Sequence, residues 1–174
     1  EKFSRKDLAV IQAVRSLGDL DQAKSLLYGR LDEWFKINFP ELDLQNEDTV
    51  CAIAEQFACK EGFTEQELEK IVGAGKAAGL MHSAQKSFGA EFDSEDKQAV
   101  RALASAISGL AQSRKKIEEY ISEESSKSFK NIAFLTDPML AARLVTTAGS
   151  LEKLAKMPGS TVQVIGADTA LFKH

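Results

Sequence analysis

The segment VRALASAISGLAQSRKKIEEYI (Val100–Ile121) decides the predicted fold class. Positions 100, 103, 107, 110, 114, 117 and 121 alternate in steps of three and four, and six of the seven are apolar, with Arg114 as the exception. This spacing is typical of a helix that packs along a second helix in a coiled coil. The predicted helix runs from about Glu95 to Ser126 and would be about 48 Å long. A helix of that length needs a long partner.

A matching stripe lies in the first forty residues. Positions 10, 13, 17, 20, 24, 27, 31, 34 and 38 read Val, Ala, Leu, Leu, Lys, Leu, Leu, Trp and Asn, of which seven are apolar. Ser4 with Asp7 predicts the start of this helix, and Phe39-Pro40 predicts its end, because proline cannot continue the hydrogen-bond ladder. We expect the two long helices to form an antiparallel coiled-coil hairpin, an arm spanning residues 1–128. A compact helical bundle without an arm is the alternative.

The segment between the stripes predicts a small helical tip, residues 46–88. Its helices are expected at 46–59, from Thr64 to Val72 with Thr64 and Glu67 as a capping box, and at 74–87. Gly89 marks the following turn, and Asp93 or Ser94 is expected to cap the second long helix.

Residues 129–174 predict a second, compact helical domain. Asp137-Pro138 is a strong helix start, with aspartate as the N-cap and proline in the first turn. That helix is expected to run to Lys156 or Met157 and to break at Pro158-Gly159. A β-branched connector would then lead to a last helix that opens at Gly166-Ala167-Asp168. The predicted fold class of the whole chain is therefore all-α.

Composition and charge limit the function classes. A chain of 174 residues with 44% hydrophobic and 28% charged residues is expected to fold. The net charge is −4, but residues 127–174 carry +3 and the remainder carries −7, which predicts an acidic arm and a mildly basic head; chance is the alternative. No apolar run reaches the roughly 18–20 residues of a membrane span, and no signal segment opens the chain. Because the chain starts abruptly and stops inside a predicted helix, we expect a fragment.

Residue types that carry catalysis or bind metals show no matching pattern. Cys51 and Cys59 lie eight residues apart on a predicted helix, too far from each other to form a disulfide. We therefore expect two buried free thiols. Gly73-Ala74-Gly75-Lys76 follows no predicted strand, and Ala77 stands where a P-loop has Ser or Thr. The two histidines are isolated. The sequence therefore predicts no enzyme, no cofactor and no metal site.

The segment SLEKLAKMPGSTVQVIGADTALF (Ser150–Phe172) predicts an anion-binding surface. Two lysines end one predicted helix, and the start of the next, at Gly166, would offer free backbone N–H groups that bind phosphate. Neutral polar side chains lie between them. The side chains concerned are Lys153, Lys156, Ser160, Thr161 and Gln163. The alternative is that Asp168 caps the helix internally and that the hydroxyls satisfy the turn.

The segment AARLVTTAGSLEKLAKMPGSTVQVIGADTALF (Ala141–Phe172) resembles the signature of the Nop domain family. Three upstream segments resemble other parts of the family pattern: DEWFKINFPEL (Asp32–Leu42), SFGAEFDSEDKQAVRAL (Ser87–Leu103) and NIAF (Asn131–Phe134). The resemblance covers essentially the whole chain.

This resemblance implies a core protein of box C/D ribonucleoproteins, archaeal or nucleolar, or the related splicing factor. It implies a non-catalytic scaffold whose Nop domain binds a kink-turn guide RNA together with its small kink-turn-binding protein. It also implies a homodimer or heterodimer formed through the coiled coil, and an intracellular location, cytoplasmic in an archaeon and nuclear or nucleolar in a eukaryote. Fibrillarin would be recruited only through a separate N-terminal domain, which we expect this chain to lack.

The resemblance also implies binding positions, and the charge pattern adds lysines to them. The predicted RNA- or partner-binding residues are Asn131, Lys153, Lys156, Ser160, Thr161, Gln163, Gly166, Ala167, Asp168 and Lys173. Thr169 replaces a lysine of the family motif, and Thr147 replaces a residue that is often histidine. Family members continue through a further basic loop and helices that supply much of the RNA surface. A coiled-coil adaptor without RNA binding and a spliceosomal-type Nop protein are the alternatives.

Overall fold

The computed structural model describes residues 6–171, and these residues form helices and no strands. The helices are α1 (Lys6–Asn38), α2 (Glu47–Phe57), α3 (Glu65–Val72), α4 (Ala74–Lys86), α5 (Ser94–Ser128), α6 (Lys130–Leu135), α7 (Pro138–Ala148), α8 (Leu151–Ala155) and α9 (Gly159–Leu171), with one 3₁₀ turn at Lys60–Gly62. The predicted all-α class is confirmed. The two long helices and the three shorter ones between them lie within a few residues of their predicted bounds.

The chain divides into two compact units. Unit 1 joins the N-terminal segment up to Asp21 to the segment from Ser113 onward, and unit 2 is Gln22–Gln112. Each unit has its own apolar core. The long helices α1 and α5 contribute residues to both. The predicted arm (1–128), tip (46–88) and head (129–174) stay predictions.

The two apolar stripes are confirmed by burial. Every stripe position of α1 and α5 is buried or half-buried. Val10 and Ile121 are fully buried in the core of unit 1, and Leu31, Val100 and Ile107 are fully buried in that of unit 2. Removing a side chain of this size from water stabilises a fold by about 1.5–3 kcal/mol. Burial of these residues therefore explains why helices longer than thirty residues are stable in this protein.

Within unit 1, α1 and α5 run antiparallel. Lys6 Nζ lies 3.5 Å from Glu124 Oε2, and Arg114 Nε lies 2.5 Å from Asp21 Oδ1. An early residue of α1 thus contacts a late residue of α5, and a later residue of α1 contacts an earlier one of α5. Arg114, which interrupts the stripe of α5, also pairs with Glu118 one turn along. The exception in the heptad pattern is therefore an ion-pair position.

In unit 2, side chains form hydrogen bonds with both ends of α2. Asn46 caps its N-terminus, because the side-chain oxygen accepts from Thr49 N at 3.0 Å. Its C-terminus is satisfied by Arg101 of α5, whose guanidinium donates to Glu55 O at 3.0 Å and to the next carbonyl. Thr64 precedes α3 as predicted, but its side chain makes no capping hydrogen bond, so the predicted capping box is wrong.

A buried amide ends α1. Asn38 has no exposed surface; its Nδ2 donates to Ala90 O at 2.8 Å, and its Oδ1 accepts from Lys60 N at 2.7 Å. The Lys60 ammonium donates to Asn38 O at 2.7 Å and to Gly89 O at 2.6 Å. A carbonyl that the helix leaves unpaired is therefore satisfied by a largely buried cation, as the end of a buried helix requires. These bonds join α1, the 3₁₀ turn and the loop that precedes α5.

Substituting Gly89 tests this junction. A Cβ at Gly89 would lie 1.9 Å from Asn38 O, so Gly89→Ala is expected to destabilise the protein by about 1–3 kcal/mol, as overpacking does. Gly79→Ala is the control, since a Cβ there meets nothing within 4 Å and alanine favours a helix interior by about 1 kcal/mol. Urea unfolding followed by circular dichroism measures both. Equal stability of the two variants would contradict this account.

Both cysteines are buried free thiols, as predicted. Cys51 lies on α2, but the helix ends at Phe57 because Ala58 adopts a left-handed backbone, φ +62°. Cys59 therefore lies beyond the helix that was predicted to hold it.

Burial raises the pKa of the Cys51 thiol to about 11, so little thiolate forms at pH 8. We expect an aromatic disulfide reagent at pH 8 to label neither cysteine of the native chain at an appreciable rate, and to label both in urea, because the thiolate is the nucleophile. Absorbance of the released aromatic thiol measures the number labelled. Rapid labelling of a native cysteine would show that its burial is not maintained in solution.

Candidate nucleic-acid interface

The C-terminal part of unit 1 begins with α7, whose predicted start is confirmed. Pro138 opens the helix, and Asp137 Oδ1 accepts from Leu140 N at 2.9 Å. The helix ends at Ala148, because Gly149 takes a left-handed conformation with φ +84° and donates its N–H to Val145 O at 2.9 Å. This is the usual way for a glycine to terminate a helix. The predicted continuation of this helix to Lys156 or Met157 is wrong.

A separate short helix, α8, carries Lys153 instead, and Lys156 directly follows it as its C-cap. Ser150 is its N-cap, since Ser150 Oγ accepts from Lys153 N at 3.1 Å. Asp7 of α1 adds a second acceptor, with Oδ2 3.3 Å from Leu151 N. Leu154 is buried and holds α8 against the core of unit 1. The amino end of the helix is thus fixed by two side chains that the sequence does not place near each other.

Both Lys153 and Lys156 are exposed, but their surroundings differ. Lys156 Nζ lies 2.5 Å from Glu152 Oε1, and both side chains are about three-quarters exposed; such surface pairs are worth about 0.2–1 kcal/mol and yield readily to other partners. Lys153 has no acidic partner within 4 Å among residues 6–167. Its charge is therefore available to a ligand.

Helix α9 begins earlier than predicted. It starts at Gly159, directly after Pro158, whose carbonyl accepts from Thr161 N at 3.0 Å and from Val162 N at 3.1 Å. Val162 and Ile165, one turn apart, pack against the core of unit 1. This burial outweighs the small helix-propensity cost of β-branched residues, so the predicted connector is helical.

Gly166, Ala167 and Asp168 consequently lie inside α9 and not at its start. The predicted helix N-terminus at Gly166 is wrong, and so is the alternative that Asp168 caps a helix there. A Cβ at Gly166 would lie 3.8 Å from Leu144 Cδ2, which shows that α9 packs on α7 at this point. Ala167 is exposed. The side chain of Asp168 and the whole of Lys173 lie outside the described residues.

The amino end of α9 is instead formed by residues 159–161. Ser160 and Thr161 lie in its first turn and are exposed, as is Gln163. The N–H of Thr161 donates to Pro158 O, which leaves the N–H groups of Gly159 and Ser160 without an acceptor within their own helix. The neutral polar residues of the prediction therefore lie at a helix start, although not at the one that was predicted.

Asn131 lies on α6 and lines a groove of about 750 Å³ in unit 1. The floor of the groove is mostly apolar, with α7, α8 and α9 contributing Leu144, Leu151, Leu154 and Val162. The polar side chains of the lining are Lys127, Ser128, Lys130, Asn131 and Thr136. The groove thus brings Asn131 of α6 to the same depression as residues of α8 and α9.

Sequence reasoning missed Lys130 and Arg143 as candidates. Lys130 lines the groove beside Asn131, is exposed and has no acidic partner within 4 Å among the described residues. Arg143 lies on α7, is half-buried and is likewise without such a partner among residues 6–167. The sequence contained a signal for Lys130, since it directly precedes Asn131. Lys130 and Arg143 contributed only to the net charge of residues 127–174 and were not predicted as binding residues.

No helix among residues 6–171 is long and apolar enough to cross a membrane, and no group of three or more His, Cys, Asp or Glu residues in the described part of the chain could hold a metal ion. What the described residues define is an all-α protein with exposed lysines beside an apolar groove.

Comparison with known proteins gives the family. Residues 16–174 match the family model Nop, described as "snoRNA binding domain, fibrillarin". A NOP5 family protein of Methanocaldococcus jannaschii, described as uncharacterized, is 38% identical over 172 residues, which are 98% of this chain and 42% of the relative. Nucleolar protein 58 of Ajellomyces capsulatus is 31% identical over 99% of this chain and 28% of the relative. Nucleolar protein 56 of Bos taurus is 30% identical over 98% of this chain and 30% of the relative.

The chain belongs to the Nop family, which confirms the resemblance seen in the sequence. It spans less than half the length of these three relatives.

The break between α7 and α8 can be tested at Gly149. A residue with a Cβ is strained at φ +84°, so Gly149→Ala is expected to cost about 1–2 kcal/mol of stability, and Gly149→Asn less, because asparagine tolerates this conformation better. Thermal unfolding of the three proteins measures the order. If alanine were tolerated as well as glycine, the left-handed helix end would not be the feature that separates the two helices.

Proposed function

We propose that this chain is the non-catalytic scaffold part of a ribonucleoprotein, and that helices α6, α8 and α9 contact the RNA. The observation that carries the proposal is the pair Lys130 and Lys153, two exposed cations without an acidic partner in the described residues, within a chain of the Nop family. Cations that have no partner of their own are available to phosphates, and phosphate contacts supply most of the salt-dependent affinity for RNA.

The amino end of α9 supports a phosphate contact at the same surface. Its first turn carries backbone N–H groups and the hydroxyls of Ser160 and Thr161. Neither Asp nor Glu lies in that turn, so no carboxylate of its own competes for the positive end of the helix dipole.

The target that this surface fits best is a composite one, a kink-turn guide RNA held by its small kink-turn-binding protein, as in box C/D particles. The lysines and the start of α9 suit the RNA backbone. The adjoining groove, with its apolar floor and Asn131 at its polar side, suits a protein contact, because desolvated apolar surface contributes most of the affinity in protein interfaces. A spliceosomal-type particle would present the same kind of target.

Self-association is the second part of the proposal. In unit 2, Trp34, Ile37 and Leu103 line a shallow depression, and Leu26 and Ile37 are exposed large apolar residues of α1. Exposed apolar surface of this kind favours a protein interface, here a homodimer or a heterodimer with a relative. Fibrillarin would be bound by another part of a longer protein, and the particle would lie in the nucleolus in a eukaryote and in the cytoplasm in an archaeon.

A mobility-shift titration at two salt concentrations tests the RNA contact. We expect a supershift of kink-turn RNA that already carries its kink-turn-binding protein, and little shift of the RNA alone. Lys130→Ala with Lys153→Ala should weaken binding uniformly across RNA sequences and lower the salt slope by about one for each lysine. Lys70→Ala is the matched control, an exposed lysine of unit 2 paired with Glu67, and should change nothing.

A folded double variant with wild-type affinity would remove both lysines from the interface. No shift of either RNA form, together with a stable dimer by light scattering, would favour the adaptor without RNA binding. Repeating the titration with a longer chain would then decide whether residues beyond this one are needed.

A further inference from the structure

We propose that the loop Ser87–Glu91 of unit 2, which we name the Phe88 loop, binds an arginine side chain of a partner protein. The guanidinium would stack on the Phe88 ring and pair with the carboxylate of Glu41. This site lies in unit 2, which is acidic, whereas the proposed RNA surface of unit 1 is cationic. The proposal does not depend on RNA binding.

The Phe88 ring is 98% exposed. A single exposed apolar side chain is ordinary on a protein surface. The backbone next to Phe88 is unusual, because hydrogen bonds fix the two residues that follow it. Gly89 O accepts from the largely buried Lys60 ammonium at 2.6 Å, and Ala90 N donates to Ile37 O at 2.8 Å. Phe92, which follows the loop, is buried.

The loop is therefore ordered before any partner arrives. Gly89 approaches Asn38 so closely that no side chain fits there, which restricts the loop to one path. An aromatic side chain on a fixed backbone loses little conformational entropy on binding, and preorganisation of this kind increases affinity without further contacts.

A carboxylate is fixed against the backbone of the Phe88 loop. Glu41 Oε2 accepts from Ser87 Oγ at 2.6 Å, and Glu41 Oε1 lies 3.4 Å from Phe88 N, within hydrogen-bond reach. The hydrogen bond from Ser87 lowers the pKa of Glu41, so the carboxylate stays ionised at neutral pH. Each oxygen retains capacity for a further donor.

A loop that carries an exposed aromatic ring and holds an ionised carboxylate at its backbone matches a guanidinium better than an ammonium. Arginine is planar, stacks on aromatic rings and donates two parallel hydrogen bonds to a carboxylate, whereas lysine is a strongly hydrated point charge. The pair Phe88 and Glu41 therefore predicts a preference for arginine over lysine.

The charge of unit 2 favours the same partner. Residues 22–112 contain fifteen acidic and nine basic residues, a net charge of −6. This field repels the phosphates of RNA and attracts a cationic protein segment. A nucleic acid is accordingly not the occupant of the Phe88 loop.

The test uses the ¹⁵N-labelled chain and the tripeptide acetyl-Gly-Arg-Gly-amide, with acetyl-Gly-Lys-Gly-amide as its twin. Titration followed by amide chemical shifts should give saturable changes at Ser87, Phe88, Gly89 and Glu41. The lysine peptide should bind about two- to fivefold more weakly. Phe88→Ala and Glu41→Gln should each weaken the arginine peptide by about the same factor. Neither position is buried, so both variants should fold.

Phe134→Ala is the matched control, because Phe134 is 88% exposed on α6 of unit 1 and should leave binding unchanged. Equal affinity for the two peptides would overturn the proposal, as would shifts spread over all acidic residues of unit 2, which would indicate non-specific attraction. Unchanged binding by Phe88→Ala would overturn it as well. Since no RNA is present, these outcomes leave the proposed RNA contact untouched.

Discussion

Burial of the apolar stripes of α1 and α5 is the interaction on which both units depend. Each helix exceeds thirty residues, and a helix of that length in water needs a face that is covered along its whole course. The stripe of α1 supplies Val10 and Leu17 to the core of unit 1, and Leu31 to that of unit 2. The short helices that carry the candidate site pack on the core of unit 1, to which both stripes contribute residues.

The polar residues in the stripes specify how the helices are paired. Each of the three polar stripe positions has a particular partner: Lys24 bonds Asp48 of α2, Arg114 bonds Asp21 of α1, and Asn38 bonds the backbone of Lys60 and Ala90. Apolar contacts tolerate small shifts along a helix, whereas a buried amide such as Asn38 loses its hydrogen bonds if the pairing slips, at a cost of about 1–3 kcal/mol for each group left unpaired. Specificity thus comes from the exceptions to the pattern.

The candidate interface depends on two backbone devices more than on its charged residues. The left-handed Gly149 separates α8 from α7, and Pro158 separates α9 from α8. Because both devices fall within about ten residues, Lys153 and the exposed first turn of α9 lie on different short helices that share one groove lining. A continuous helix through this segment would have spread the same residues around one cylinder. The arrangement explains how a chain of net negative charge can present a local cationic surface.

The sequence alone determined the helical class, the two stripes, the cap at Asp137 and, through the segment from Ala141 to Phe172, the family. These are local properties: periodicity, capping chemistry and a contiguous signature are written in neighbouring residues. The tertiary structure decided where α9 begins, that Asp7 caps α8, and that α6 forms one wall of a groove. Thr161, Val162 and Ile165 resemble a connector when judged by propensity. They are helical because α7 offers apolar surface to pack on, and contacts between residues distant in sequence outweigh local preferences of a few tenths of a kcal/mol.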